Sequence, residues 1–279
     1  MSGIRVVTDS ASDLPADIAS RYSVVTVPLD VRLGDLGPEE TRKLSATEFW
    51  QACANTAALP ETSAPSPGAF RDAFAQARED GCDGVVCVTI SSELSATYQA
   101  ACAGAAEVAG DIPVEVIDSR SATMGEGLLV IEAAELATPG SSLEEVAAGV
   151  RAAVGAIGVF GTLDTLDNLR RGGRIGSAQA FVGSLLSIKP VIEVRGGVVE
   201  GESRQRTRGR SLRYLAEKVA EAEPLRRLAV AHAAASDLGE FLRILAEVHP
   251  ADDVIVAYIG PVIGAHTGAG TIGVCFLRS

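Results

Sequence analysis

Gly84-Val85-Val86-Cys87-Val88-Thr89-Ile90-Ser91-Ser92 is the stretch on which the reading of this chain turns. Residues 84–90 form a continuous apolar run with no polar alternation. A strand wetted on one face alternates; an unbroken run belongs to a strand covered on both faces. Ser91-Ser92 follow, and a helix is expected over 95–108. The same phrase recurs on either side. Ile4-Arg5-Val6-Val7-Thr8 leads into Asp9-Ser10-Ala11-Ser12-Asp13-Leu14-Pro15, rich in residues that start helices. Residues 114–117 lead into Asp118-Ser119 and then a helix over 125–137. A second strand is expected over 23–29, and helices over 47–58, 68–80 and 143–154. Between them Pro60-Glu61-Thr62-Ser63-Ala64-Pro65-Ser66-Pro67 carries three prolines and is expected to be irregular. Strands alternating with helices give a parallel sheet covered on both faces.

In such sheets, ligands bind beyond the carboxyl ends of the strands. Three predicted strands end in Asp9-Ser10, Ser91-Ser92 and Asp118-Ser119. One such residue alone is a helix cap. Three together, with the hydroxyls of Thr62-Ser63, describe the polar mouth of a pocket.

The chain has 279 residues, enough for two domains. Past Ala156 the pattern changes. Strands are expected over 157–163, 190–194, 228–231, 254–259 and 271–276, and helices over 178–188, 207–222 and 237–248. Gly196-Gly197 is a hairpin-type turn leading to Val198-Val199. The expected architecture is therefore α/β. Residues 1–155 form an N-terminal parallel-sheet domain and 156–279 a C-terminal mixed α+β domain.

The formal net charge is −12, which argues against general nucleic-acid binding. Five cysteines with no Cys-x-x-Cys spacing read as reduced thiols of a cytoplasmic protein. The first residues lack the apolar core of a signal peptide. The longest apolar stretch, 152–163, is shorter than the roughly 18 residues of a membrane helix.

Catalytic signatures are sparse. There is no G-x-S-x-G elbow, no S-x-x-K, no Walker A sequence and no metal-ligand spacing, so no metal or cofactor is expected. Gly268-Ala269-Gly270-Thr271-Ile272-Gly273 fits a dinucleotide fingerprint, but it leads into a strand with no room for a crossover helix. His266 sits in Gly264-Ala265-His266-Thr267-Gly268-Ala269-Gly270, where small neighbours leave backbone N–H groups open to a carboxylate or phosphate; the plain alternative is a turn with a solvated histidine. Arg170, Arg171 and Arg174 form one basic cluster, and Arg204, Arg206, Arg208, Arg210 and Arg213 another. They read as a solvated face or as a docking patch for an acidic partner or phosphate.

Six segments, in order, carry a resemblance. The first is Val7-Thr8-Asp9-Ser10-Ala11-Ser12-Asp13-Leu14-Pro15. Next come Thr62-Ser63-Ala64-Pro65-Ser66 and Ile90-Ser91-Ser92-Glu93-Leu94-Ser95-Ala96-Thr97-Tyr98-Gln99. Asp118-Ser119 with Met124-Gly125-Glu126-Gly127 follows, then residues 166–176 with Ile188-Lys189-Pro190, and finally His266-Thr267-Gly268-Ala269-Gly270. The chain resembles the DegV family, whose characterised members are fatty-acid-binding subunits of bacterial fatty acid kinase. Ala96 stands where that family usually has glycine, and Ala269 where it usually has proline.

The resemblance implies binding without catalysis by this chain alone. A long-chain fatty acid would lie between the two domains. A separate ATP-binding kinase subunit would phosphorylate its carboxylate, and the acyl phosphate would feed phospholipid synthesis. Thr62, Ser63, Ser91, Ser92, Ser95, His266, Thr267 and Gly268 would surround the carboxylate, the direct donor being left open. Arg170, Arg171, Arg174, Arg204 and Arg206 would dock the kinase. The tunnel is expected from residues 181–188, 191–194 and 254–263. Two rival readings use the same pocket: a Ser/His esterase or thioesterase, and a sensor whose occupancy a regulatory protein reads.

Overall fold

The computed structural model describes residues 3–56, 58–181 and 188–279. The strands are β1 (Ile4–Asp9), β2 (Val25–Val27), β3 (Asp30–Arg32), β4 (Glu61–Ser63), β5 (Gly84–Thr89) and β6 (Val114–Asp118). They continue with β7 (Ile157–Thr162), β8 (Lys189–Arg195), β9 (Val198–Gln205), β10 (Leu225–His232), β11 (Val254–Tyr258) and β12 (Ile272–Arg278).

The apolar run that opened the sequence is the buried centre of the first sheet. Every residue of β5 is buried. The order is β2-β1-β5-β6, all parallel, with Val6 opposite Val86 and Val86 opposite Glu115. The chain leaves β1 toward one edge and returns on its other side as β5. Their carboxyl ends therefore flank the point where the winding reverses, the usual place for a ligand crevice.

The second sheet is mixed, in the order β11-β10-β12-β7-β8-β9. Only β10 and β11 run parallel; the other neighbours are antiparallel. The Gly196-Gly197 turn joins β8 to β9 as expected, with φ of +60° and +92°.

Between the sheets lies the helix Met124–Leu136. Its residues from Met124 to Ala133 are buried, aliphatic on most sides, with the two carboxylates among them taken up by Thr8 (Glu126) and Arg226 (Glu132). It touches β1 and β5 on one side and β7, β10 and β12 on the other. Gly125 makes this possible: a Cβ there would lie 2.3 Å from the Val159 side chain. One continuous core of aliphatic residues from both halves, including Val86, Leu128, Val159 and Ala231, results.

Three expectations are corrected. Residues 60–67 are not wholly irregular, because Thr62 and its neighbours pair as β4 with β3, whose Val31 faces Thr62. Of the helix expected over 178–188, residues 178–181 belong to a 3-10 stretch, Gly176–Phe181; residues 182–187 lie outside the described residues. His266 is not in a loop. It lies near the end of a helix, Pro261–Thr267, which begins at a proline and ends at Gly268 with φ +80°.

Candidate functional site

A cavity of about 230 Å³ opens between the two sheets. Its body is aliphatic. Leu29, Ile90, Leu94 and Ala122 come from the N-terminal half; Val159, Leu163, Ile192, Val194, Ile259 and Ile263 come from the C-terminal half. Its polar residues gather from four places: Thr62 and Ser63 on β4, Ser95 and Thr123 after β5 and β6, and His266 and Thr267 on the last helix.

Thr62 and His266 meet across the interface. Thr62 Oγ1 lies 3.0 Å from His266 Nε2. His266 Nδ1 is buried with no partner and faces Gly172, where a Cβ would lie 2.4 Å away. Burial, with a smaller contribution from the Arg174 charge, pulls the imidazole down to about 4, so it is neutral near pH 7. A buried N–H without an acceptor is the rarer orphan. On that ground the single ring proton is assigned to Nε2, donating to Thr62 Oγ1. The Thr62 hydroxyl proton is then free for a ligand.

Ser95 Oγ is 2.8 Å from Thr97 Oγ1 and accepts from the Thr97 N–H. It sits at the start of the helix Thr97–Glu107, whose positive end faces the cavity and suits an anion. Thr267 Oγ1 donates to the Ile263 carbonyl, so its proton is turned back along its own helix. Arg174, expected only as a docking residue, is itself a lining residue. Its Nε donates to Leu94 O and its Nη1 to Gly172 O, fixing a guanidinium at the rim.

Three expected residues do not line the cavity. Ser91 Oγ donates to Gly197 O, fastening the β8–β9 turn to the first sheet. Ser92 Oγ donates to Asp118 Oδ2 at 2.5 Å, so two of the strand-end motifs satisfy each other. Gly268 ends the His266 helix and lies against Asn168. The tunnel expectation holds for Ile192 and Val194 and for Ile259 and Ile263, but Val256 and Tyr258 face solvent.

Arg170 and Arg171 are exposed beside the cavity, with Arg170 paired to Asp167. The stretch Gly176–Phe181 that follows them packs on β9, where Arg204 Nη2 donates to Ala180 O and its guanidinium stands 4.4 Å over Phe181. Arg206 is exposed on the same segment. Arg208 is instead tied to Asp237 and Gly270 O.

Below the cavity is a buried acidic group; Asp9, expected as a strand end at the pocket mouth, belongs to it instead. Asp9, at the end of β1, accepts from Ala11 N and from Ile90 N, both at 2.8 Å. Glu126 accepts from Thr8 Oγ1 at 2.9 Å and leaves Oε2 without a partner. Asp13 accepts from Thr123 Oγ1 at 2.6 Å and from Gly260 N at 2.9 Å. Burial pushes Asp9 up to about 6 and Asp13 to about 7; burial and the Asp9 charge push Glu126 well above the carboxylate range. The strand-end Asp was the only available signal.

An aliphatic cavity with hydroxyls and a neutral imidazole at its mouth and a guanidinium at its rim can accommodate an apolar chain with a polar head. The DegV family profile, described as an uncharacterised protein family, matches residues 3–279, and the chain belongs to that family. It is 37% identical over 276 residues to a DegV domain-containing protein of Streptomyces coelicolor, covering 97% of each. Among solved structures it is similar to a fatty-acid-binding DegV family protein of Thermus thermophilus, with 36% identity and a TM-score of 0.89, over 99% of this chain and all of that one. A stearic-acid-binding protein of Eubacterium ventriosum superposes with a TM-score of 0.88 at 26% identity, covering 100% of this chain and 98% of the other. No helix among the described residues is long and apolar enough to cross a membrane, and no group of three or more His, Cys, Asp or Glu among them could hold a metal.

Proposed function

We propose that this protein binds one long-chain fatty acid in the cavity between its sheets and presents the carboxylate to a separate ATP-binding kinase subunit in the cytoplasm. The observation that carries the binding is the pairing of an aliphatic cavity with the Thr62–His266 mouth. The likeness to fatty-acid-binding relatives supports it.

The energetics are favourable. Each buried CH₂ contributes about 0.8 kcal/mol. A dozen methylenes outweigh the several kcal/mol lost on association. A carboxylate buried without partners would cancel that gain. Thr62, Ser63 and the Ser95 helix start supply donors, and Arg174 supplies a charge at the rim. His266 orients Thr62. The abutting Arg170–Arg174 and Arg204–Arg206 segments fit a docking surface for the kinase. The acyl phosphate then enters phospholipid synthesis, and this chain is non-catalytic. The geometry gives an esterase no support: His266 faces Thr62, and its Nδ1 lacks the carboxylate that would orient a general base.

Native mass spectrometry of freshly purified protein, followed by solvent extraction, tests the reading. The expected result is a single fatty acid at near-unit occupancy. Protein that is empty and takes up none of an added series of fatty acids would overturn it.

A further inference from the structure

The helix Pro261–Thr267 that carries His266 is held from several sides. Trp50 packs against Gly264, where a Cβ would lie 2.6 Å from the indole. Asn168 Nδ2 donates to Ala265 O, and Thr62 meets His266. Its first turn is held by Asp13. That residue belongs to the N-terminal half, where it ends the short 3-10 turn Ser10–Ser12 that follows β1, and Gly260 starts the helix from the C-terminal half. A Cβ at Gly260 would lie 3.0 Å from Asp13 Oδ1, so the two halves approach closely at this point.

Both residues of the Thr123–Asp13 hydrogen bond have left-handed backbone, φ +50° at Asp13 and +49° at Thr123. A β-branched residue rarely adopts that region. Such a conformation persists where the surroundings fix it, and it clusters at working sites. The carboxyl faces Thr123 and Glu126 from the central helix and its approach, Asp9 from its own strand, Cys275 from β12 and Gly260 from the last helix. No Lys, Arg or His among the described residues forms an ion pair with it.

We propose that Asp13 is a positioning residue for the cavity: clamped between Thr123 and Gly260 across the sheet interface, its carboxylate seats the His266 helix, and protonation loosens that seat. This rests on the reading of the cavity as a fatty-acid site. The ionised carboxylate accepts from both partners at once. Once protonated, one oxygen carries the proton and turns to Thr123 as a donor. The Gly260 N–H is left with a neutral acceptor, which binds it less strongly. Thr62 and Ser63 then meet a His266 whose helix is less firmly placed. Because burial moves Asp13 to about 7, the change falls near neutral pH.

The test measures affinity of the whole protein for cis-parinaric acid, a fluorescent polyene fatty acid, from about pH 6 to about pH 8.5. The imidazole signals of His266 are followed by NMR over the same range. Affinity should rise about five-fold with a midpoint near 7, as one hydrogen bond gains a charged partner. The His266 signals should shift with that midpoint although the ring itself stays neutral. Asp13→Asn should be flat at the low-pH affinity with the shift abolished. Thr123→Val should move the midpoint to higher pH, because its hydroxyl favours the ionised carboxylate. A flat profile in the parent, or a parent-like profile in Asp13→Asn, would overturn the proposal. If Asp13→Asn does not fold, the Thr123→Val midpoint decides. A parent that binds no fatty acid at any pH overturns the functional reading instead, and the His266 midpoint still tests the role of Asp13.

Discussion

The mouth of the cavity and the acidic group beneath it obey the same physics with opposite sign. At the mouth, burial removes the proton that would charge His266. Beneath it, burial favours the proton that discharges a carboxyl, so Asp9, Asp13 and Glu126 all titrate above the ordinary carboxylate range. The two regions differ in what they offer to outside molecules. His266 and Thr62 keep one hydroxyl proton free toward the cavity. Asp9 and Asp13 use their oxygens on backbone N–H groups and a threonine of the protein itself. Two buried polar sites can thus be chemically similar and differ in where they aim: one turns a donor toward the cavity, the other ties the halves of the protein together.

The comparison breaks most severely at Asp9. Asp9→Ala removes the acceptor of two backbone N–H groups, those of Ala11 and Ile90, in a fully buried setting. The expected loss is about 3 kcal/mol of stability, read as a lower urea midpoint at unchanged slope. The cavity mouth should show the reverse separation. Thr62→Val keeps shape and removes the free hydroxyl, so fatty-acid affinity should fall about ten-fold, while stability should fall by only about 1 kcal/mol as the half-buried His266 N–H loses its acceptor. A loss of stability without loss of affinity would mean that Thr62 is structural.

The smallest effect is in the pH dependence of stability. A carboxyl whose folded pKa lies above its unfolded value contributes stability at low pH, and this is lost as pH rises through about 6 to 7. A histidine lowered to about 4 contributes above its unfolded value near 6.5, and this is lost as pH falls toward 4. In the window the four groups share, the three carboxyls outweigh the one histidine, so urea titrations in half-unit steps should show stability declining from about pH 4 to about pH 7. Glu126→Gln should make that decline shallower. A decline unaltered in that variant would place the titrating group elsewhere.

Much of this was readable in the chain. The run 84–90 and its flanking serines announced a buried parallel strand, and β5 is that strand. The double glycine at 196–197 announced its hairpin. Thr62, Ser63, Ser95, His266 and Thr267 were named, and all five line the cavity. What failed did so because pairing is three-dimensional. Ser92 and Asp118 each looked like a ligand-facing strand end, yet β5 and β6 are neighbours and the two residues bond to each other. Gly172 shields His266 and Asp13 meets Gly260 across 247 positions of sequence. No local periodicity records such an approach. The burial of Met124–Ala133 on every side was equally hidden, because Glu126 and Glu132 look like a solvent face until Thr8 and Arg226 are brought to them from distant parts of the chain.

The cavity walls come from both sheets, and this bears on how the protein comes apart. An empty cavity leaves the halves joined by the central helix and by a few fastenings such as Ser91 to Gly197 and Arg120 to Gly196. A bound acyl chain adds a layer of contact that neither half can keep alone. At a free concentration one hundred times its dissociation constant, a ligand adds about 2.7 kcal/mol to the folded state. Here that gain would belong to the junction, so occupancy would make the two halves melt as one cooperative unit.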